Sequence, residues 1–208
     1  LLLLVAETTQ SHIRVAVAAR NRIVGNEPAG ASAWSVVREP DSVAHELAID
    51  VVAGEQLTIE KIVALYTSRD RAVSEPSEAA VRELGQAGSF EELLERHVLA
   101  WTHLWRYFRV DLTDGDVLGD EALHTVHLHL FHLLQIVSPN SIDLDAGVPA
   151  RGLHGEAYRG HIFWDELFIF PLLNVRLPAL TRALLNYRFR RLGEAAARGS
   201  SERLETEA

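Results

Sequence analysis

The hydrophobic period of this 208-residue chain changes once, around Ser74-Glu75-Pro76-Ser77, and that change restricts it to folds in which a β region is followed by an α region. Before the change the signals are strand-like. Ile13-Arg14-Val15-Ala16-Val17 alternates apolar with polar or small residues, as a half-buried strand does. Asn26 to Gly30 reads as a loop, and Leu47 to Val52 is a second apolar-rich run ended by the turn Ala53-Gly54-Glu55. Leu57 to Thr67, LTIEKIVALYT, suits a strand or a helix. Successive strands with no helices between them predict an antiparallel sandwich, and nothing in this region concentrates reactive groups.

After the change the period is helical. Ser77 is placed to cap a helix through Ala79, Val81 and Leu84, and Ser89 to cap the next, with Glu92 completing a capping box. That second helix carries Leu93, Leu94, His97, Val98, Trp101, Leu104, Trp105 and Phe108 at spacings of three and four. Trp101 and Trp105 resemble a sugar-stacking platform, but their place in the apolar stripe reads as core. Asp114-Gly115-Asp116 breaks the chain before a helix from about Asp120 to Val137. Its four histidines (His124, His127, His129, His132) spread over more than half the helix circumference, with His127 inside the buried arc. A metal needs imidazoles that converge, as in His-x-x-x-His, so these read as exposed and hydrogen-bonded core groups, and no metal is expected. Ser138-Pro139-Asn140 stops the helix. A helix continues through Phe168 to Leu173, Leu177-Pro178 turns, and Leu180 to Leu192 forms a further helix with Leu184, Leu185 and Phe189 on one face. The tail from Gly199 is polar and poorly patterned.

Composition excludes several functions. A formal net charge of −9 opposes nucleic acid as the main partner, because phosphate binding needs a basic surface. The absence of cysteine rules out disulfides and thiolate metal sites and fits a reducing, cytoplasmic compartment. No apolar run reaches bilayer-spanning length, and the opening LLLLVA lacks the basic flank and cleavage site of a signal peptide. The chain begins without methionine in what reads as mid-strand, so a fragment of a longer protein is the expectation.

The densest chemistry lies in Arg151 to Pro171, RGLHGEAYRGHIFWDELFIFP. Gly152, Gly155 and Gly160 punctuate a run holding His154, Glu156, Tyr158, Arg159, His161, Trp164, Asp165 and Glu166, which then turns into apolar Leu167 to Phe170. Trp164 and Tyr158 offer flat faces with polar edges for the apolar side of a sugar ring. Asp165, Glu156 and Glu166 accept hydrogen bonds from neighbouring hydroxyls, and Arg159 donates them. Such a loop fits a polyhydroxylated ligand, or equally a buried polar junction between loop and helix. Asp165 and Glu166 are adjacent and project in different directions from a helix, so they do not form an acid–nucleophile pair.

The run from Gly152 to Asp165, GLHGEAYRGHIFWD, resembles the signature of glycoside hydrolase family 65, the maltose, trehalose and kojibiose phosphorylase family. The likeness extends back through Leu130-Phe131-His132-Leu133-Leu134-Gln135 and forward through Pro178 to Leu192, PALTRALLNYRFRRL. It implies a multi-domain α and β protein: residues 1–73 as the end of an antiparallel β-sandwich, 74–112 as a helical linker, and 113–208 as the first helices of an incomplete (α/α)6 catalytic barrel. It further implies inverting phosphorolysis of an α-glucosyl disaccharide, with inorganic phosphate as nucleophile, one glutamate as general acid and no cofactor beyond that co-substrate. By the same resemblance Trp164 and Asp165 line the subsite for the non-reducing glucose, and Tyr158, Arg159 and His161 belong to the same motif. The chain departs from the family in reading Trp164-Asp165-Glu166-Leu167 where many members read Trp-Asp-Thr-Glu, and nothing after Leu192 matches the family's general acid or phosphate-binding segments.

Length agrees with that departure. Twelve helices with their loops need on the order of 200 residues, and the positions after Ser89 supply little more than half of that. The chain alone is therefore expected to be inactive, and its exposed apolar helix faces to need cover. Hydrolysis in place of phosphorolysis, and a non-catalytic carbohydrate-binding or assembly module, are the alternative readings. The expected partners are a disaccharide and phosphate, with no nucleic acid and no membrane; a homodimer is compatible with a family whose members commonly dimerise.

Overall fold

The computed structural model describes residues 1–25, 34–111, 119–152 and 157–206, and the chain divides into two compact units, Leu1–Ala100 and Trp101–Ala208. The expected loop at Asn26 to Gly30 and the break at Asp114-Gly115-Asp116 lie outside the described residues.

The first unit is built on strands β1 (Leu2–Glu7), β2 (Arg14–Val24), β3 (Ser35–Glu39), β4 (Ser42–Glu46) and β5 (Thr58–Thr67). All pairings are antiparallel: β1-β2-β5 form one sheet, and β3-β4 a separate hairpin. Leu57 to Thr67 resolves as a strand because its burial alternates, with Glu60, Ile62 and Ala64 turned inward and Ile59, Lys61, Val63 and Leu65 outward. Ala16 and Ala18 stand on the same inward face of β2 and pack with Ile62 and Ala64 against Ala80 and Leu84 of α1 (Pro76–Gln86). Small residues on β2 let the helix lie close to the sheet. The opposite sheet face leaves Leu4, Val63 and Leu65 exposed.

Two local expectations change. The apolar run Leu47 to Val52 lies outside any strand. It is apolar without alternating, and Val51 and Val52 are exposed; only its closing turn appears as expected, with Gly54 at φ 95° and the Glu55 N–H donating to Val52 O at 3.0 Å. Ser77 is not the cap of α1. Pro76 occupies the first helical position, where its fixed φ is already helical, and so Glu75 becomes the cap. Its carboxylate accepts from Ser77 Oγ at 2.9 Å and is held by Arg14 Nη1 at 2.6 Å.

The start of α2 (Phe90–Phe108) follows its sequence signal closely. Ser89 Oγ accepts from the Glu92 N–H at 3.3 Å and Glu92 Oε2 accepts from the Ser89 N–H at 2.9 Å, the reciprocal pair of a capping box. Buried Glu60 reaches this helix start from β5, accepting the Phe90 N–H at 2.8 Å while Arg22 Nε pairs with its other oxygen at 2.5 Å. Arg20 donates to the carbonyls of Ala87 and Gly88 at 3.2 and 3.1 Å, closing the end of α1 onto β2.

In the second unit, the last turns of α2 join α3 (Gly119–Ile136), α4 (Phe170–Arg176) and α5 (Pro178–Thr206). Phe108, Leu130, Leu134, Val137, Val148, Phe170, Leu173, Leu180 and Leu184 form its core, with Trp101 and Trp105 packed against it as core residues. His127 Nε2–H donates to Val110 O at 2.9 Å and its ring meets Trp105 edge-on, whereas His124 and His129 are exposed. The final helix differs from expectation in two ways. It runs to Thr206 through the tail, because Glu194-Ala195-Ala196-Ala197-Arg198 are strong helix formers that need no apolar stripe. Its buried face carries Leu180, Thr181 and Leu184, while Leu185 and Phe189 turn outward, Phe189 being 75% exposed.

Two outcomes test this architecture. Leu84→Ala, at a side chain 1% exposed between α1 and the sheet, should cost about 2–5 kcal/mol, read from the urea midpoint. Glu60 and Glu75 titrate below the ordinary 4.5, chiefly because Arg22 and Arg14 hydrogen-bond their charged forms. A carboxyl lowered on folding contributes stability above its unfolded value and loses it as pH falls through its folded value. The first unit should therefore lose stability below about pH 4.5, and Glu60→Gln should flatten that loss in acid unfolding.

Candidate functional site

The segment carrying the dense chemistry is fixed by what precedes and follows it. Ser138 caps a 3₁₀ turn at Pro139–Ser141 through the Asn140 N–H, which sends the chain off the end of α3. Asp145 then meets α5: its Oδ1 accepts from Arg190 Nη1 at 2.8 Å and its Oδ2 from Arg191 Nη2 at 3.0 Å. The Arg191 hydrogen bond in particular holds the Asp145 carboxyl below its ordinary range, against the opposing effect of burial. Arg191 is itself steered by the Tyr187 ring, 3.8 Å beneath its guanidinium.

Two residues on, Gly147 passes so close to its neighbours that a Cβ there would lie 2.7 Å from Ile162 Cδ1 and 3.1 Å from Glu166 Oε1. The next N–H, of Val148, donates to Glu166 Oε1 at 2.7 Å. Glu166 is 2% exposed, and its second oxygen accepts from Arg188 Nε at 2.6 Å. Arg188 Nη2 continues to Phe163 O at 2.5 Å. Glu166, expected as a hydrogen-bond acceptor for a ligand, instead faces inward and ties the loop to α5.

The motif residues sit on two successive 3₁₀ turns, Ala157–Gly160 and Trp164–Ile169. Tyr158 has φ 63°, a left-handed conformation costing a non-glycine residue on the order of 1–2 kcal/mol, and Gly160 follows at φ 73°. His161 ties the turn off, its backbone N–H and its Nδ1–H both donating to Tyr158 O at 2.8 and 2.6 Å. The Tyr158 ring meets Phe163 edge-on at 5.4 Å, and the His161 ring stacks on Phe163 at 6.1 Å. One residue later Trp164 is 65% exposed, its ring edge-on to Phe168 at 5.3 Å, and Asp165 is exposed beside it.

Successive side chains on a 3₁₀ turn diverge by about 120°. Asp165 and Glu166 therefore part, one to solvent and one to the interior, which excludes an acid–nucleophile pair between them. The outward surface offers the Trp164 and Tyr158 ring faces, the Asp165 oxygens and the His161 edge, a set suited to a sugar's apolar face and its hydroxyls. Of the predicted residues, Tyr158 and His161 gather around Phe163, with Trp164 and Asp165 on the adjoining turn. The Arg159 side chain, His154, Gly155 and Glu156 lie outside the described residues. Sequence reasoning passes over Asp145, Gly147, Arg188, Arg190 and Arg191. The available signal was a single carboxylate, Glu166, entering an apolar run, and three arginines crowded into Arg188-Phe189-Arg190-Arg191.

Comparison with known proteins identifies the family. The profile of the glycosyl hydrolase family 65 N-terminal domain matches residues 1–104, and that of the family 65 central catalytic domain matches residues 127–206. An uncharacterized glycosyl hydrolase of Mycobacterium tuberculosis is 45% identical over 97% of this chain, which spans 15% of that protein. A trehalose 6-phosphate phosphorylase of Lactococcus lactis is 31% identical over 93% of this chain, spanning 24% of it. A kojibiose phosphorylase of Halothermothrix orenii is 36% identical over 68% of this chain, spanning 19% of it. With matches to two of its domains reaching most of the sequence, the chain belongs to glycosyl hydrolase family 65.

Proposed function

We propose that this chain is a portion of a longer family 65 enzyme, an inverting phosphorylase of an α-glucosyl disaccharide, and that Trp164 and Asp165 form one wall of its subsite for the non-reducing glucose. The observation that carries the wall is the divergence of neighbours on one turn: Trp164 and Asp165 face outward while Glu166 anchors the turn from behind. Tyr158 and His161 extend the same wall, with Arg159 assigned to it by sequence alone. Support for phosphorolysis comes from relatives that are trehalose 6-phosphate, kojibiose and 1,2-α-glucosylglycerol phosphorylases.

In this reading a phosphate oxygen attacks the anomeric carbon from the face opposite the departing sugar. The glycosidic C–O bond breaks, and a glutamate outside this chain protonates the leaving oxygen. Inversion turns the α-glucoside into β-glucose 1-phosphate. No cofactor takes part; phosphate is a co-substrate. Residues 1–73 would then be the end of a β-sandwich, 74–112 a linker and 113–208 the start of an (α/α)6 barrel, in a cytoplasmic protein. Among the described residues no helix is long and apolar enough to cross a membrane.

Hydrolysis is the second reading, kept open because the relative that is 45% identical is named only as an uncharacterized glycosyl hydrolase. The full-length protein separates the two. Incubation with trehalose 6-phosphate, trehalose, maltose or kojibiose, with and without inorganic phosphate, should release glucose 1-phosphate only when phosphate is present. Equal release of free sugar in both conditions would assign hydrolysis, and no release from any substrate would remove both readings. The 208-residue chain by itself should release none. In the active protein, Trp164→Ala and Asp165→Asn should each lower kcat/KM by at least about tenfold, since both contacts are made to the reacting sugar.

A further inference from the structure

We propose that Arg188 is a positioning residue for the glucose wall, its one guanidinium holding the Phe163 carbonyl and the Glu166 carboxylate on either side of Trp164 and Asp165. The inference rests on the reading of those two residues as glucose contacts.

The geometry is a bracket. Arg188 Nη2–H donates to Phe163 O at 2.5 Å, and Arg188 Nε–H donates to Glu166 Oε2 at 2.6 Å. Phe163 and Glu166 flank Trp164 and Asp165 in sequence, and the carbonyl of the first and the carboxylate of the second both meet Arg188. One planar guanidinium can therefore grip both, with Trp164 and Asp165 between the grips. Glu166 passes the restraint on through its other oxygen to the Val148 N–H at 2.7 Å, in the recess that Gly147 leaves open.

The outward pair has little else to fix it. Trp164 is 65% exposed, its ring edge-on to Phe168, itself 71% exposed, and Asp165 is exposed as well. Phe163 starts the turn with no side-chain cap, and the Arg188 Nη2–H donating to its carbonyl ties that end of the turn to α5. Short 3₁₀ turns have poor internal hydrogen-bond geometry. A shift of the turn would move the Trp164 ring and the Asp165 oxygens together.

Lysine at position 188 separates positioning from simple stabilisation. Its ammonium can still pair with Glu166, but it lacks the rigid fork that serves two acceptors at once. In the full-length protein, D-glucose is titrated by tryptophan fluorescence into wild type, Arg188→Lys, Glu166→Gln, Trp164→Ala, Asp165→Asn and the Arg188→Lys/Trp164→Ala double variant, each checked by thermal unfolding. Arg188→Lys should raise the glucose Kd about tenfold at temperatures where the protein is fully folded, and should add little further in the Trp164→Ala background, as coupled residues do. Glu166→Gln, which keeps the volume and one acceptor, should move Kd in the same direction. If Arg188→Lys and Glu166→Gln lower Tm but leave the glucose Kd unchanged, the pair only stabilises and the positioning role is wrong. If Trp164→Ala and Asp165→Asn bind glucose as wild type does, the glucose wall itself is wrong, whatever Arg188 does.

Discussion

The second unit depends on one buried carboxylate. Transferring Glu166 from water to a site with 2% exposure would cost several kcal/mol if its charge were left unmatched. The fold offsets that cost with donors from two directions, the Val148 N–H from the loop and Arg188 from α5. Each condition places a demand on sequence. A side chain at position 147 would collide with Ile162 and crowd the carboxylate, so the position is glycine. The partner must serve a carboxylate and a carbonyl together, which a guanidinium does with a rigid planar fork that an ammonium lacks.

The same device recurs at Asp145, whose carboxylate is held by Arg190 and Arg191. Three arginines within four positions of α5 thus fasten two separate points of the loop that carries the motif. A helix is rigid over its length, so the loop takes its placement from α5 as well as from Val148 in the core. That leaves its aromatic residues available outward. Tyr158, Phe163, Trp164 and Phe168 are all exposed.

What the sequence makes legible here follows the range of the interaction involved. The capping box at Ser89 and Glu92 spans three residues and appears as read. The alternation through Glu60, Ile62 and Ala64 identifies a strand once a sheet is there to receive it. The outward direction of Trp164 and Asp165 is consistent with their reading as ligand contacts, whereas the inward turn of Glu166 is not visible from its neighbours. It is decided by Arg188, twenty-two positions away in sequence. Leu184, Leu185 and Phe189 share a similar confusion. All three fit an apolar stripe, but only Leu184 meets the core, because the loop anchored at Asp145 and Glu166 claims the face of α5 bearing Arg188 and Arg191.

The wall also limits what this chain can do unaided. A small-molecule site normally buries most of its ligand between opposing surfaces, yet Trp164 and Tyr158 are 65% and 58% exposed. A sugar resting there would contact protein on one side and water on the other. It would gain the stacking and one carboxylate but not the dry, enclosed field in which charge on a departing oxygen is stabilised. The same unit turns Val175 and Phe189 outward, each at least 75% exposed, and the first unit leaves Leu4, Val63 and Leu65 open on its sheet. Apolar surface of this extent marks faces built to pack against something. The chain spans 15% and 24% of two of the relatives it matches. On the proposed reading, recognition and chemistry are separable: the residues proposed to orient the glucose are held by contacts internal to this stretch, while enclosure and proton transfer would come from other surfaces.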